Sequence, residues 1–175
     1  MQPSSFKTAV NFGAMSGLSC FAIFILLYKM GINPLGPGSW MAIWIPPLFI
    51  FLGTRRFRNV ELKGFISFGA AFRASFLTAS SGALLYALLI YIFGTLIDPL
   101  VLDNFKEMML TELEQTESMM RSVLGDSIYE KSIEEINNTT FKSMAMNDFF
   151  NKTIGGALFG LITAAILKRK SPEIQ

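Results

Sequence analysis

The sequence predicts an all-α, polytopic membrane protein with four transmembrane helices and a helical, acidic extramembrane hairpin between the third and fourth. Three observations predict it. The chain of 175 residues carries three uninterrupted apolar stretches and a fourth broken by proline, and a run of about 18 or more apolar residues can cross a hydrocarbon core of roughly 30 Å as a helix. Basic residues gather at the ends of those runs. Eleven of the 13 acidic residues lie between Asp98 and Asp148, where four bases leave a net charge of −7. The length suits a single membrane domain, 1–175, and is too short for a bundle plus an independent soluble domain of usual size.

The first span is expected at about 9–30. Lys7 alone is a thin positive leader, the apolar run exceeds the usual length of a signal-peptide core, and no A-x-A-like site follows. A retained helix is therefore expected. Pro34, Gly36, Pro37 and Gly38 then mark a turn-rich connection. The second span, about 40–54, has Pro46 and Pro47 in its middle. Each proline removes a backbone donor, so a kinked helix is expected.

The third apolar stretch, Phe65 to Ile97, would reach roughly 50 Å as a straight helix. Its excess is assigned to an interfacial segment up to Arg73, leaving about 74–97 embedded and the guanidinium snorkelling to head groups. The fourth span, about 149–167, stops at Lys168, Arg169 and Lys170. The loop after the second span carries Arg55, Arg56, Arg58 and Lys63. By the positive-inside rule both basic clusters belong in the cytoplasm, and four crossings then place both termini there. Trp40 and Trp44 fall near the opposite interface.

The segment 98–148 is read as an extracytoplasmic helical hairpin. Phe105, Met109, Leu113, Thr116, Met120 and Leu124 recur at spacings of three or four, opened by Asp103 as N-cap and closed by Gly125. Asp126 is the expected cap of a second helix bearing Ile128, Ile133 and Ile136, and a last helix from Phe141 continues into the fourth span. The methionine-rich stripe is expected to pack on the outer end of the bundle. Its sharper reading is a partner groove contacted through Met109, Leu113 and Met120. The acids lack the spacing of a calcium loop. Asn-x-Thr triplets begin at Asn137, Asn138 and Asn151, and they matter only where asparagine is glycosylated.

Within the spans, Gly13 and Gly17, Gly156 and Gly160, and Ala70, Ala74, Thr78 and Gly82 form small-residue faces. Such faces let helix backbones approach closely, within one bundle or between copies. Chemistry is sparse. Histidine is absent and Cys20 is the single cysteine, while GxSxG, HExxH and a glycine-rich phosphate loop are all missing. No enzyme, metal or cofactor is expected, and no nucleic-acid partner. The ionisable residues assigned to the spans are Arg73 and Asp98, both at edges, so a proton- or cation-coupled transporter is disfavoured. Arg55, Arg56, Arg58, Arg73, Lys168, Arg169 and Lys170 are candidate contacts for lipid head groups.

The run from Ile66 to Arg73, with Phe68, Gly69 and Phe72, and the later Asp98-Pro99 resemble a bacterial membrane family filed as domain of unknown function 4199. A glycine-bearing first span, a basic second loop and a closing span ending in Lys168-Arg169-Lys170 extend the likeness over nearly the whole chain. Ala70 departs from it, where the family pattern often has a polar residue. The resemblance implies four helices in a bacterial inner membrane and implies no activity. The expected role is a non-enzymatic accessory or scaffold subunit of a cell-envelope membrane complex. Its partners would be membrane lipids and another membrane protein, or itself. The alternative is a homo-oligomeric translocator of a small molecule or lipid.

Overall fold

The structure is a computed structural model that describes residues 5–169. Lys170, one of the expected head-group contacts, lies outside the described residues. Seven helices follow in order: α1 (Ser5–Lys29), α2 (Ile45–Arg56), α3 (Phe68–Ile92), α4 (Leu100–Gln115), α5 (Glu117–Leu124), α6 (Asp126–Asn137) and α7 (Phe141–Leu167). A 3-10 segment, Pro37–Ala42, precedes α2, and single π-helical turns extend α2 to Glu61 and α3 to Ile97. Among the described residues, three helical stretches are long and apolar enough to cross a membrane: Phe6–Lys29, Phe68–Ile97 and Phe141–Leu167. They mark the chain as a membrane protein.

Helix α3 is the central column. Thr8, at the start of α1, hydrogen-bonds Glu61 just ahead of α3, and Tyr28, near the end of α1, donates to Asp98 just beyond it. Those two ties make α1 and α3 run side by side in one direction. Helix α7 runs against them, because its exit residue Arg169 pairs with Ile66 in a two-bond antiparallel bridge: Ile66 N to Arg169 O at 3.1 Å, and Arg169 N to Ile66 O at 2.9 Å. Helix α2 packs on α1, α3 and α7.

The small residues explain how closely these helices approach. A Cβ built on Gly82 of α3 would lie 2.8 Å from the Gly13 carbonyl oxygen, and one on Gly17 would lie 2.7 Å from the Gly82 carbonyl oxygen. On the other flank of α3, Gly156 faces Ala79 and Gly160 faces Ser75. Both glycine pairs are thus used within the chain. A buried hydroxyl pair, Thr54 and Ser75 at 2.8 Å, ties α2 to α3, and such bonds average on the order of 0.6 kcal/mol between membrane helices.

Two apolar clusters cap this narrow waist. Phe57, Ile66, Ala71, Ala74 and Ala164 close the basic end, and Cys20, Phe24, Tyr86, Ile90, Phe93 and Val101 close the other. In the second, the Phe93 ring stands edge-on to Phe24 and Tyr28 at 5.1 and 5.0 Å, a geometry that aromatic quadrupoles favour.

Several sequence expectations are corrected. Pro46 and Pro47 do not kink a helix in its middle; they open α2 in its first turn, where the missing N–H groups would be unpaired anyway. The segment assigned to the interface up to Arg73 is helical from Phe68 and continuous with the rest of α3, with Ser67 accepting from the Ala70 N–H as its cap. Asp103 is not an N-cap but lies inside the first turn of α4, after an Asx-type turn in which Asp98 Oδ1 accepts from Leu100 N at 3.0 Å. The expected single helix up to Gly125 is broken at Thr116 into α4 and α5. Gly125, at φ 86°, ends α5 and itself precedes α6, so Asp126 is a first-turn residue and not the cap.

Candidate functional site

Charge separates along the bundle. Lys7, Arg55, Arg56, Arg58, Lys63, Arg73, Lys168 and Arg169 belong to helix ends and turns on the side of the Ile66–Arg169 bridge, with Glu61 the acid among them. There the Arg58 guanidinium donates to the Leu167 carbonyl at 3.3 Å. Partial burial, followed by the charges of Arg169 and Arg55, pushes its pKa below the usual value. The two basic clusters read separately from the sequence therefore meet at one end. Phe68 and Gly69 sit at the same end, exposed, and no atom stands within 4 Å of a Cβ placed on Gly69. Phe72, next on that helix, stands beside Gly160.

At the other end, α4, α5 and α6 form a helical cap over the start of α7. Asp98 organises its root: Oδ2 accepts from Tyr28 at 2.8 Å while Oδ1 holds the turn into α4, and Pro99 follows as the residue leading into that helix. The Asn33 side chain donates to the Val101 carbonyl at 3.1 Å, fastening the α1–α2 connection to the same place. In the tip of the cap, Arg121 bonds Asp126 at 2.6 Å and Glu117 at 2.8 Å and lies 4.2 Å over the Tyr129 ring. Asp126 first and Glu117 second raise the Arg121 pKa, so this cation persists at any working pH.

Between the cap and α7 lies an open groove of ≈ 1050 Å³. Phe105, Met109, Leu113, Met120 and Met144 give it an apolar lining, and Glu112, Glu134, Glu135 and Asp148 outnumber Lys131 around it. On the stripe of α4 and α5, Phe105, Met109, Leu113 and Met120 are half-buried in this groove, while Thr116 and Leu124 are exposed. Its expected packing onto the bundle end is therefore incomplete: the stripe faces a space shared with α6 and α7.

Below the groove sits a feature that the sequence reading passed over. Lys152 pairs with Asp148 one turn earlier on α7, and its ammonium lies 4.3 Å from the Tyr86 ring centroid on α3. Arg73 and Asp98, the ionisable residues expected at the spans, are thus joined by this pair, since α7 is continuous from Phe141 and carries both charges inside a membrane-length helix. The available signal was the spacing of four between an acid and a base. Asp148 Oδ2 is buried and takes no hydrogen bond among the described residues. A second cavity of ≈ 370 Å³ opens beside the pair, lined by Trp40, Ile43, Pro46, Tyr86 and Phe159, and it shares Asp148 and Asn151 with the groove above. Among the described residues no three His, Cys, Asp or Glu side chains converge as a metal site.

A family model described as Protein of unknown function (DUF4199) matches residues 11–169. No curated protein and no solved structure matches the chain.

Proposed function

The chain belongs to the DUF4199 family of proteins of unknown function, and from that premise we propose that it is a non-enzymatic accessory or scaffold subunit of a cell-envelope membrane complex. In this reading it sits in a bacterial inner membrane with four crossings, α2 and its 3-10 lead-in supplying the second, and with both termini in the cytoplasm. The gathering of the basic residues at one end of the bundle supports that orientation.

The groove under the cap carries the proposal. Its methionine-rich wall and acidic rim suit the apolar face of an amphipathic helix edged with Lys or Arg. The partner is thus a membrane protein presenting such a helix outside the membrane. The translocator reading draws less support, because the glycine faces that would join copies are occupied by α3.

The test is extraction of tagged protein at native expression in a mild detergent, with a photo-crosslinking residue at Met109 in one sample and at exposed Leu158 on α7 in another. A stoichiometric membrane protein that crosslinks from Met109 and not from Leu158 supports the proposal. A homo-oligomer that crosslinks only to itself overturns it in favour of the translocator.

A further inference from the structure

The Asp148–Lys152 pair is built in a way that a simple intrahelical ion pair does not require. Counted back from Lys168, where α7 leaves its apolar run, Lys152 lies ~24 Å and Asp148 ~30 Å along the helix. A hydrocarbon core of roughly 30 Å therefore puts Asp148 at the far membrane boundary and Lys152 one turn inside it, within snorkelling reach of the head groups. The ≈ 370 Å³ cavity beside them falls within the size range of small-ligand sites. Ile43, Pro46 and Phe159 give it a largely apolar lining, and its rings Trp40 and Phe159 are exposed. An apolar slot topped by charge matches an amphiphile that has its chains in lipid and its head at the boundary.

The charges narrow the head group. Lys152 spends one donor on Asp148 and faces the Tyr86 ring, and an ammonium has three donors in all. Asp148 Oδ1 is engaged and Oδ2 is buried without a donor among the described residues. A buried carboxylate oxygen with no donor costs free energy that a hydrogen bond would recover. The pair is neutral as a whole, so neither a simple anion nor a simple cation is selected by net charge. A molecule carrying both signs a few atoms apart satisfies each group.

We propose that the cavity bounded by Trp40, Tyr86, Asp148 and Lys152 binds the head group of a phospholipid bearing a primary ammonium, of the phosphoethanolamine type. Lys152 holds the phosphate, the Asp148 carboxylate at the cavity wall accepts from the ammonium, and the apolar slot receives the first methylenes of the chains. A quaternary ammonium has no N–H to donate, so a choline head leaves Asp148 with Lys152 as its donor and adds none. The site adjoins the partner groove through Asp148 and Asn151, while Trp40, Tyr86 and Lys152 line this cavity and not that groove.

The two tryptophans supply the assay, since Trp40 lines the cavity and Trp44 does not. Full-length Trp44→Phe and Trp40→Phe proteins would be reconstituted in phosphatidylglycerol vesicles containing an equal fraction of brominated-chain phosphatidylethanolamine, phosphatidylcholine or phosphatidylglycerol. Trp40 emission should be quenched about threefold more by the ethanolamine lipid than by the other two, with no preference at Trp44. Lys152→Gln should abolish the excess, and Asp148→Asn should erase the distinction between ethanolamine and choline. Equal quenching of Trp40 by all three lipids, in the otherwise unaltered protein, overturns the proposal. Relief of the excess by soluble phosphoethanolamine but not by phosphocholine supports it, because the head group is then what the site recognises. The tryptophan comparison needs neither charge variant to fold.

Discussion

The Tyr28 hydroxyl donates to Asp98 Oδ2 at 2.8 Å, joining the last turn of α1 to the root of the cap across seventy residues of chain. The same carboxylate holds Leu100 N through its other oxygen, so one side chain both starts α4 and fixes where it starts. Tyr28→Phe should lower the thermal midpoint in detergent and increase proteolysis of the cap. Asp98→Ala, which loses both bonds, should do so by more. Equal midpoints for the two variants would show that the α1 tie contributes everything and the turn nothing.

The crossing of α1 on α3 tolerates no side chain at Gly82. Gly82→Val should destabilise the bundle by about 1–3 kcal/mol through overpacking, measured by reversible unfolding in mixed micelles. Gly69→Ala, at a helix position with open space around it, should leave stability unchanged or raise it by about 0.5–1 kcal/mol.

Much of this could be read from the chain, and the failures have physical causes. The three long helices announce themselves because unbroken apolar runs admit few other structures in lipid. The glycine pairs likewise predicted close packing, although only the structure shows that α3 is the partner of both. Pro46 and Pro47 misled because proline is disfavoured in a helix middle and favoured in its first turn, and composition cannot tell which turn it occupies. Lys152 was missed because its hydrophobic surroundings outweigh one charge in a window average. The groove was only half legible: the stripe from Phe105 to Met120 gave its wall, but the break at Thr116 that shapes it has no strong signal.

Tyr129 is buried beneath Arg121, and burial, ahead of the nearby Glu117 charge, raises its pKa above the ordinary 10.0 although Arg121 opposes this. A raised acid pKa means that folding favours the neutral phenol. Its contribution is complete below the ordinary value and is lost as pH rises through the folded one. Thermal midpoints should therefore fall more steeply above about pH 10 in the parent protein than in Tyr129→Phe. Parallel curves would remove Tyr129 from the alkaline response.

Cys20 is buried in α1 and is the single cysteine of the chain, which makes thiol mapping of topology clean. With four crossings, Ile32→Cys should react with a membrane-impermeant maleimide in intact cells. Val60→Cys, on the far side of α2 and exposed, should react only after permeabilisation. Reaction of both in intact cells would make α2 re-entrant and reduce the crossings to three.

The Ile66–Arg169 bridge also sets an order of assembly. Its halves are separated by about a hundred residues, so during synthesis Ile66 has long since been threaded when its mate emerges, and a contact of such separation forms late. Until then α1, α2 and α3 can already nest on one another through their glycines, while the flank of α3 reserved for α7 stays open to the bilayer. The seam where Gly156 meets Ala79 and Gly160 meets Ser75 is thus the last that the order of the chain allows to close.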